Sequence, residues 1–478
     1  MNPTKIAKIY EFSNENDFVY IFNNRDRIQT LNLSDAERKH LQDKTIEDES
    51  QWVHFYVNGC HQFYVFVPKG DESNEGKEAF RKMGASFDAA AYLLDSVVVV
   101  DETGVKGGLF FLEGFMLGRY RFDKYKSSKK MDRLQGLFLF DDSVTNQEID
   151  EFNILIQAVY FNRDLSNEPQ MTMNTAAFVE VIRGLSETID LKVEVFNKRK
   201  IQSLKMGGLL AVNQGSFDDP AFGIISWKPK NAVNEKPYIL VGKGVVFDTG
   251  GLNIKTGNYM LDMHIDKAGA STVLSAIYAI SLLNLPVHVI ALLPLTDNRP
   301  GNKAFAPNDI ITISNGKTVE IINTDAEGRL ILADALSYAT KFDPQLVIDL
   351  ATLTGSAARA IGIHGAVAFQ KNAEKPLSEL MQCGDIVRER LVEFPLWDEY
   401  SASIKSDFAD MKNLGGAEAG ATTAAKFLEN FVSYPWIHID IAGPAILSAN
   451  DSYRTKGASG FGTRLLVQFL MKMSKNQY

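Results

Sequence analysis

Short apolar segments alternate with helical segments through the second half of the chain, and this alternation constrains the fold most strongly. The apolar segments are too short for buried helices, and helical periodicity follows several of them. Such alternation is typical of a largely parallel sheet with helices on both faces. The strand candidates are residues 237–246, 287–295, 345–350 and 436–441, and the helix candidates are 268–283, 330–341 and 419–431.

The predicted strands end in small and polar residues. Their carboxyl-terminal sequences read GKGVVFDTGG, PLTDN, ATLTG and IAGPA. Because α/β folds bind ligands beyond the carboxyl ends of their strands, we expect the functional residues at this edge of the sheet.

The first 145 residues have a different pattern, with short apolar runs and an Ala-rich helical stretch but no recognisable chemistry. A chain of 478 residues corresponds to two or three domains at ~150 residues each. We predict an α/β protein of two domains. A smaller N-terminal α/β domain for assembly or regulation spans residues 1–145, and a linking helix spans 146–165. A larger C-terminal catalytic domain, with a mostly parallel sheet flanked by helices, spans 166–478.

Composition excludes several classes of protein. No apolar run approaches the ~20 residues of a membrane span, and the first residues lack the apolar core of a signal peptide. Two cysteines cannot form a disulfide framework, so we expect a reduced, cytoplasmic protein without a membrane partner. A net charge of −9 disfavours nucleic acid as a partner. Seven histidines without an HExxH motif argue against histidine-rich zinc chemistry.

Two compact stretches at the predicted sheet edge combine carboxylates with cationic side chains. Four carboxylates carry a charge that two divalent cations would balance, and carboxylate oxygens are ligands for hard cations. A lysine can bind a metal only as the neutral amine, whereas a second lysine and an arginine can stabilise negative charge on an attacked carbonyl. These residues are Lys243, Asp248, Lys255 and Asp266 in the first stretch, and Asp325, Glu327 and Arg329 in the second.

Each fragment alone has a simpler interpretation. Asp-Thr-Gly at residues 248–250 is the triplet of aspartic proteases, but no second triplet of that kind occurs. Gly-Lys-Gly at 242–244 could be a phosphate-binding turn, but no Walker pattern accompanies it. NTDAEGR at 323–329 could be a helix cap. The combination favours a two-metal site for displacement at a carbonyl or phosphoryl centre.

With these motifs the sequence resembles the cytosolic leucyl aminopeptidases, a family of two-metal exopeptidases. The resemblance rests on VGKGVVFDTGGLNIK, on NTDAEGRLILADALSYA, and on DLATLTGS, SDFADMKNLGGAEAG and WIHIDIAGPA. It extends from about Arg163 to the C-terminus, and the N-terminal residues carry no matching motif. It implies release of N-terminal residues from peptide substrates and assembly into a homohexamer.

The resemblance also implies roles for individual residues. One metal would be held by Lys243, Asp248, Asp266 and Glu327, and the other by Asp248, Asp325 and Glu327. Lys255 would polarise the scissile carbonyl, and Arg329 would hold a bicarbonate ion that acts as general base. The substrate pocket would be lined by Met263, Thr352, Gly355, Ala442 and Ala445, and the Leu353 carbonyl would accept a hydrogen bond from the substrate amine. The two divalent cations would be Zn²⁺ or Mn²⁺, with Mg²⁺ as a further candidate.

Other functions remain open at this point. A dipeptidase, for example one acting on Cys-Gly, would use the same site. A DNA-binding relative would be non-enzymatic, but it would favour a basic face. A phosphoesterase would also use two metals, although histidine ligands are missing. The apolar pocket candidates predict a preference for first residues such as Leu or Met.

Two residues close to Asp266 need separate comment. One departs from the family pattern, and the other could be taken for an additional metal ligand. Lys267 follows Asp266 where an apolar or small residue is expected, and we expect its side chain to point to solvent. His264 lies two residues before Asp266, and we expect it to be a supporting or surface residue rather than a metal ligand.

Overall fold

The computed structural model describes residues 3–13, 15–45, 49, 51–91, 94–128 and 133–475. The chain folds into two compact units. The first consists of Met1–Tyr160 with Ser448–Lys456, and the second of Phe161–Leu447 with Gly457–Tyr478. The domain limits expected from the sequence, at residues 145 and 165, stay a prediction.

The first unit contains a mainly parallel sheet. Its strands follow the order β1-β6-β5-β2-β4-β3, and only the edge strand β3 runs antiparallel to its neighbour within this described sheet. The strands are β1 (Ile6–Lys8), β2 (Phe18–Phe22), β3 (Gln51–Val57), β4 (Cys60–Phe66), β5 (Ser96–Asp101) and β6 (Gly136–Phe140), and the helices are α1 (Asp35–Lys44), α2 (Asn74–Ala91) and α3 (Gly107–Arg119). Helix α4 (Asn146–Asn167) begins in this unit, and its residues from Phe161 onward belong to the second unit.

Two glycines let α2 and α3 pack with their backbones in contact. A Cβ atom at Gly84 would lie 1.9 Å from the carbonyl oxygen of Phe111, and one at Gly114 would lie 1.7 Å from that of Arg81. Both distances are far below van der Waals contact, so any larger residue would separate the helices.

The second unit continues the chain-order numbering of elements. Its strands are β7 (Lys192–Phe196), β8 (Ala221–Trp227), β9 (Tyr238–Gly242), β10 (Gly244–Asp248), β11 (Val289–Asn298), β12 (Ile310–Thr312), β13 (Thr318–Glu320), β14 (Leu346–Ala351), β15 (Ala366–Lys371), β16 (Leu391–Glu393), β17 (Met411–Lys412), β18 (Trp436–Asp440), β19 (Ile446–Leu447) and β20 (Gly457–Ala458). Its helices are α5 (Thr175–Thr188), α6 (Lys198–Ser203), α7 (Gly207–Asn213), α8 (Ala268–Leu282), α9 (Gly328–Ala339), α10 (Gly355–Ile361), α11 (Glu374–Val387), α12 (Gly420–Glu429) and α13 (Thr463–Lys475).

A large sheet organises this unit, in the order β16-β15-β18-β14-β9-β11-β8-β7, with β10 paired to β11. The central neighbours β18, β14, β9 and β11 are parallel, and antiparallel pairs occur towards the edges. Every residue of β9, β14 and β18 is buried, so both faces of the sheet are covered. The predicted α/β class, with a smaller N-terminal part and a mostly parallel sheet in the larger part, is confirmed.

One predicted strand is divided in two, and the division places a functional side chain. Residues 237–246 form β9 and β10, which are separated by Lys243. The Lys243 N–H donates to the Leu350 carbonyl (3.0 Å), and its carbonyl accepts from Ala270 N–H (2.8 Å). Beyond this point the chain leaves β14 and pairs with β11. No described helix is long and apolar enough to cross a membrane.

Candidate active site

The charged residues of the two motifs meet at the carboxyl ends of the central strands. Lys243 separates β9 from β10, and Asp248 ends β10. Asp266 lies in a short 3-10 turn that leads into α8, and Glu327 directly precedes α9. Carboxylate oxygens of Asp248, Asp325 and Glu327 lie within 4.8 Å of one another. The sheet therefore brings together residues that are up to 84 positions apart, Lys243 and Glu327.

Lys243 is surrounded by oxygen atoms. Its Nζ lies 2.7 Å from Asp266 Oδ1 and 2.9 Å from Glu327 Oε1, and it donates to the Thr352 carbonyl at 2.9 Å. The side chain is 3% exposed. Burial would lower the pKa of Lys243, but attraction to Asp266, Glu327 and Asp248 outweighs burial and raises it. To ligate a metal, this ammonium has to release its proton.

Lys255 bridges the other side of the cluster. Its Nζ lies 2.8 Å from Asp248 Oδ2 and 2.7 Å from Asp325 Oδ1. Burial would lower the pKa of Lys255, but the attraction of Asp248, Glu327 and Asp325 raises it. Lys255 therefore stays cationic, as a donor to a developing oxyanion must.

The pKa values of the four carboxylates shift in different directions because these groups share one buried site. Burial, and after it the charges of Glu327 and Asp266, raise the pKa of Asp248 well above its usual value. Burial also raises the pKa of Asp266 to about 7 although Lys243 opposes the rise, and burial followed by Glu327 raises that of Asp325. Burial would raise the pKa of Glu327, but the two lysines hold it below its usual value.

Asp248 and Asp325 lie at two loops, and hydrogen bonds join these two loops to each other. Thr324 Oγ1 donates to the Gly250 carbonyl at 2.6 Å and accepts from Asn253 N–H at 2.8 Å. Asn253 Oδ1 accepts from Thr324 N–H at 2.9 Å. Gly250 has a φ of +85°, and a Cβ atom there would lie 2.5 Å from the Asn253 carbonyl oxygen, so only glycine fits this turn.

Asn298, at the end of β11, holds both loops at once. Its Nδ2 donates to Asp248 Oδ1 at 2.9 Å and to the Thr324 carbonyl at 3.0 Å. Gly250 N–H donates to the same Asp248 oxygen at 2.8 Å. Two donors thus fix Oδ1 and leave Oδ2 directed at the cluster. Asn298 was not among the predicted site residues, although it ends PLTDN, one of the polar strand ends in the sequence.

The donor set fits divalent cations. Among the described residues, Asp266 Oδ2 and Glu327 Oε2 are buried without a hydrogen-bond partner. Buried, unpaired carboxylate oxygens are costly unless a cation compensates them. The two ammonium groups compensate only part of the charge of four carboxylates. The residues that could hold the metals are Lys243, Asp248, Asp266, Asp325 and Glu327.

Arg329 is buried and is the second residue of α9. Its side chain is 4% exposed, and one terminal nitrogen donates to the Asn413 carbonyl at 2.8 Å. Its Nε has no hydrogen-bond partner within the described part of the chain. Burial lowers the pKa of Arg329 to about 10, so the guanidinium still carries its charge at neutral pH. A buried cation with an unused donor fits a small anion.

The predicted pocket residues divide into two groups. Thr352 Oγ1 donates to Asp266 Oδ1 at 2.8 Å, which places this threonine beside a candidate metal ligand. Leu353 N–H and Ala442 N–H both donate to Asp440 Oδ1, at 3.1 and 3.2 Å. Within the described residues no hydrogen bond joins the remaining candidates to the charged cluster, so their place in the pocket stays a prediction; these are Met263, Gly355 and Ala445.

One expectation beside the site is wrong. Lys267 does not point to solvent but is fully buried. Its Nζ donates to the carbonyls of Glu168 (2.8 Å) and His264 (2.6 Å), and burial lowers its pKa to about 7. Those carbonyls replace the water that the ammonium would otherwise bind. His264 is half-buried, and burial lowers its pKa.

Gly328 controls the position of Lys243. A Cβ atom there would lie 2.5 Å from Lys243 Cε and 2.7 Å from its Nζ. Because the clash is with the end of a flexible side chain, we expect Gly328→Ala to fold with little loss of stability. The displaced amine should weaken metal binding about 10- to 100-fold. Metal titration and thermal unfolding of the same preparation check this, and unchanged metal affinity would contradict it.

Comparisons with known proteins agree with this geometry. The family model described as "Cytosol aminopeptidase family, catalytic domain" matches residues 160–467. A probable cytosol aminopeptidase of Chlorobium limicola is 40% identical over 437 residues, which is 84% of this chain and 85% of that protein. The chain belongs to the cytosol aminopeptidase family. A relative of the same description from Chlorobaculum tepidum is 44% identical over 375 residues, covering 75% of this chain and 74% of its own.

A solved structure supports the same assignment for this cytosol aminopeptidase family member. The bottromycin maturation enzyme BotP in complex with Mn is similar over 96% of this chain and 100% of its own, with 28% identity and a TM-score of 0.85. The chain is therefore a metal-dependent peptide hydrolase of aminopeptidase type.

Proposed function

We propose that this aminopeptidase holds two divalent cations per chain, Zn²⁺ or Mn²⁺ with Mg²⁺ as a further candidate. The observation that carries the proposal is the group of Asp248, Asp325 and Glu327, whose ligand atoms lie within 4.8 Å of one another. Lys243, Asp248, Asp266 and Glu327 would hold one cation, and Asp248, Asp325 and Glu327 the other. When bound, the cations polarise the scissile carbonyl and supply an activated water.

Three residues outside the proposed metal ligands have separate roles in the reaction. Lys255 donates to the carbonyl oxygen as negative charge develops on it, and its raised pKa keeps that donor charged. Arg329 would hold a bicarbonate ion through its unused Nε, and the anion would supply a general base when bound. The Leu353 carbonyl accepts a hydrogen bond from the free amine of the substrate.

This arrangement restricts cleavage to the first peptide bond. The Leu353 carbonyl and the carboxylates select a free amine, and the distance from that amine to the reacting carbonyl fixes which bond is cut. The proposed pocket of Met263, Thr352, Gly355, Ala442 and Ala445 offers no cation to a substrate carboxylate. We therefore propose apolar first residues such as Leu or Met as preferred substrates.

A panel of amino-acid amides tests this function. We expect metal-loaded protein to hydrolyse Leu- and Met-amides at least about tenfold faster than Glu-amide, because a buried unpaired charge is costly. N-acetyl-Leu-amide should not be cut. A chelator should abolish turnover, and Mn²⁺ or Zn²⁺ should restore it. Equal rates on Leu- and Glu-amides would contradict the pocket assignment, and cleavage of the acetylated amide would contradict the amine recognition.

We also propose that the protein is a homohexamer located in the cytoplasm. The location is supported by the relatives' description as cytosol aminopeptidases and by the free state of Cys60 and Cys383. The hexamer is supported by the resemblance to the leucyl aminopeptidases. Light scattering should give six times the chain mass of 53.1 kDa. A fully active monomer would show that the assembly is not required.

A further inference from the structure

Asp440 is a buried carboxylate that joins two loops of the catalytic unit. It ends β18 and is 1% exposed. Its Oδ1 accepts from the N–H groups of Leu353 (3.1 Å), Ala442 (3.2 Å) and Thr354 (3.4 Å). Its Oδ2 accepts from Thr354 Oγ1 at 2.7 Å. Both oxygens of the Asp440 carboxylate thus accept hydrogen bonds from residues just beyond the ends of the strands.

These contacts begin where the regular sheet ends. Ala351 pairs with Asp440 at the last position of the β14–β18 register, and Ile441 N–H donates to the Ala351 carbonyl at 2.8 Å. Past that point both strands continue into loops, and the Asp440 carboxylate accepts hydrogen bonds from both loops. The proposed pocket residues on these loops are Thr352, Leu353, Ala442 and Ala445, and Gly355 follows as the first residue of α10.

The geometry also connects Asp440 to the charged cluster. The peptide group between Thr352 and Leu353 is planar and trans, so its N–H and its carbonyl point in opposite directions. The N–H donates to Asp440, and the carbonyl accepts from Lys243 Nζ at 2.9 Å. The next peptide group donates its Thr354 N–H to Asp440, which turns the Leu353 carbonyl away from Asp440.

We propose that Asp440 is a positioning residue that sets the selectivity of the enzyme for the first side chain of its substrate. It does so by holding the Leu353 and Ala442 loops at a fixed separation. The inference rests on the proposed function, because it takes these loops as the walls of the substrate pocket. Among the described residues Asp440 forms no hydrogen bond with Asp248, Asp325 or Glu327, and its link to Lys243 runs only through the peptide group between Thr352 and Leu353. Its direct contacts are therefore with the pocket loops.

Asp349 provides a matched control on the neighbouring strand β14. It is 0% exposed, and it accepts from Trp436 Nε1 at 2.6 Å and pairs with His438 Nδ1 at 2.6 Å. These partners lie within β18 and not on the pocket loops. A substitution at Asp349 therefore disturbs an equally buried carboxylate without releasing either loop.

The experiment compares wild type with Asp440→Asn, Asp440→Ala and Asp349→Asn. Asparagine keeps a neutral acceptor, whereas charge-assisted hydrogen bonds are about twice as strong as neutral ones. We expect kcat/KM for Leu-amide to fall about tenfold or more in Asp440→Ala and less in Asp440→Asn, with the Leu-to-Ala-amide ratio falling in the same order. Metal content should stay at the wild-type value. Asp349→Asn should keep the wild-type ratio.

Hydrogen exchange gives a second readout that does not depend on turnover. The backbone amides of Leu353, Thr354 and Ala442 should exchange faster in both Asp440 variants than in wild type and in Asp349→Asn. If Asp440→Ala does not fold, the isosteric Asp440→Asn decides alone. Unchanged selectivity and unchanged exchange in Asp440→Asn would overturn the proposal, as would an equal loss of selectivity in Asp349→Asn.

The proposed substrate class and the role of Asp440 can be disproved separately. If wild-type protein hydrolyses none of the amides, the proposed substrate class fails, and the role of Asp440 in selectivity fails with it. If wild type discriminates Leu-amide from Ala-amide and Asp440→Asn does so equally well with normal exchange, only the role of Asp440 is overturned.

Discussion

Asp248→Ala is expected to lose its bound metals and its measurable turnover together. Asp248 is the proposed ligand of both cations, and its Oδ1 is already fixed by Gly250 N–H and Asn298 Nδ2. Removing the carboxylate deletes one anionic ligand from each proposed coordination set at once. By elemental analysis, the metal content should fall from two divalent ions per chain in wild type to well below one in the variant. The kcat of the variant should be at background.

Asp248→Asn is the matched control for folding. It keeps the shape of the side chain and an oxygen that can accept from Gly250 and Asn298, but it lacks the charge. We expect it to unfold at nearly the wild-type temperature in the absence of metal and still to bind metal poorly. A variant that retains two stoichiometric metals without this carboxylate would show that Asp248 does not bridge them.

Lys255→Ala is expected to keep both metals while kcat falls. Lys255 follows the turn at Gly250 and returns over the cluster, where its ammonium lies 2.7–2.8 Å from carboxylate oxygens of Asp248 and Asp325. Loss of one donor to a developing oxyanion costs about 10²–10³ in rate, or about 3–4 kcal/mol. Metal content and kcat should be measured on the same preparation, because the prediction concerns their separation.

Two further substitutions separate charge from shape at Lys255. Lys255→Met keeps an apolar chain of similar length and should be as slow as Lys255→Ala. Lys255→Arg keeps a positive charge and should recover part of the rate. If Lys255→Ala loses its metals, the residue supports the coordination site. If it retains them with a near-normal kcat, it is not the electrophile.

The sequence predicts those parts of the fold in which a buried element is also a continuous run of apolar residues. The apolar runs that became β11, β14 and β18 are buried on both faces, so hydrophobicity alone marks them. The break at Lys243 was not predicted, because its cause is remote: the Lys243 N–H and carbonyl bond to Leu350 and Ala270 instead of continuing one strand.

The site residues also differ in whether the sequence near them predicts their role. Lys243, Asp248, Asp325 and Glu327 stand in motifs, and the structure brings their charged groups together. Asp440 also stands in a motif, WIHIDIAGPA, but no role was predicted for it, because its partner Leu353 is 87 positions away. The burial of Lys267 was missed for a similar reason, since the carbonyl of Glu168 that receives it lies 99 residues earlier in the chain.

The interlocked loops of Asn253 and Thr324 bear on the synthesis of the protein. These residues are 71 positions apart, and β18 and Asp440 are translated more than 100 residues later still. Closing such long loops is slow, and their contacts form only after both partners have left the ribosome. A growing chain is therefore expected to gain peptidase activity only after β18 has left the ribosome.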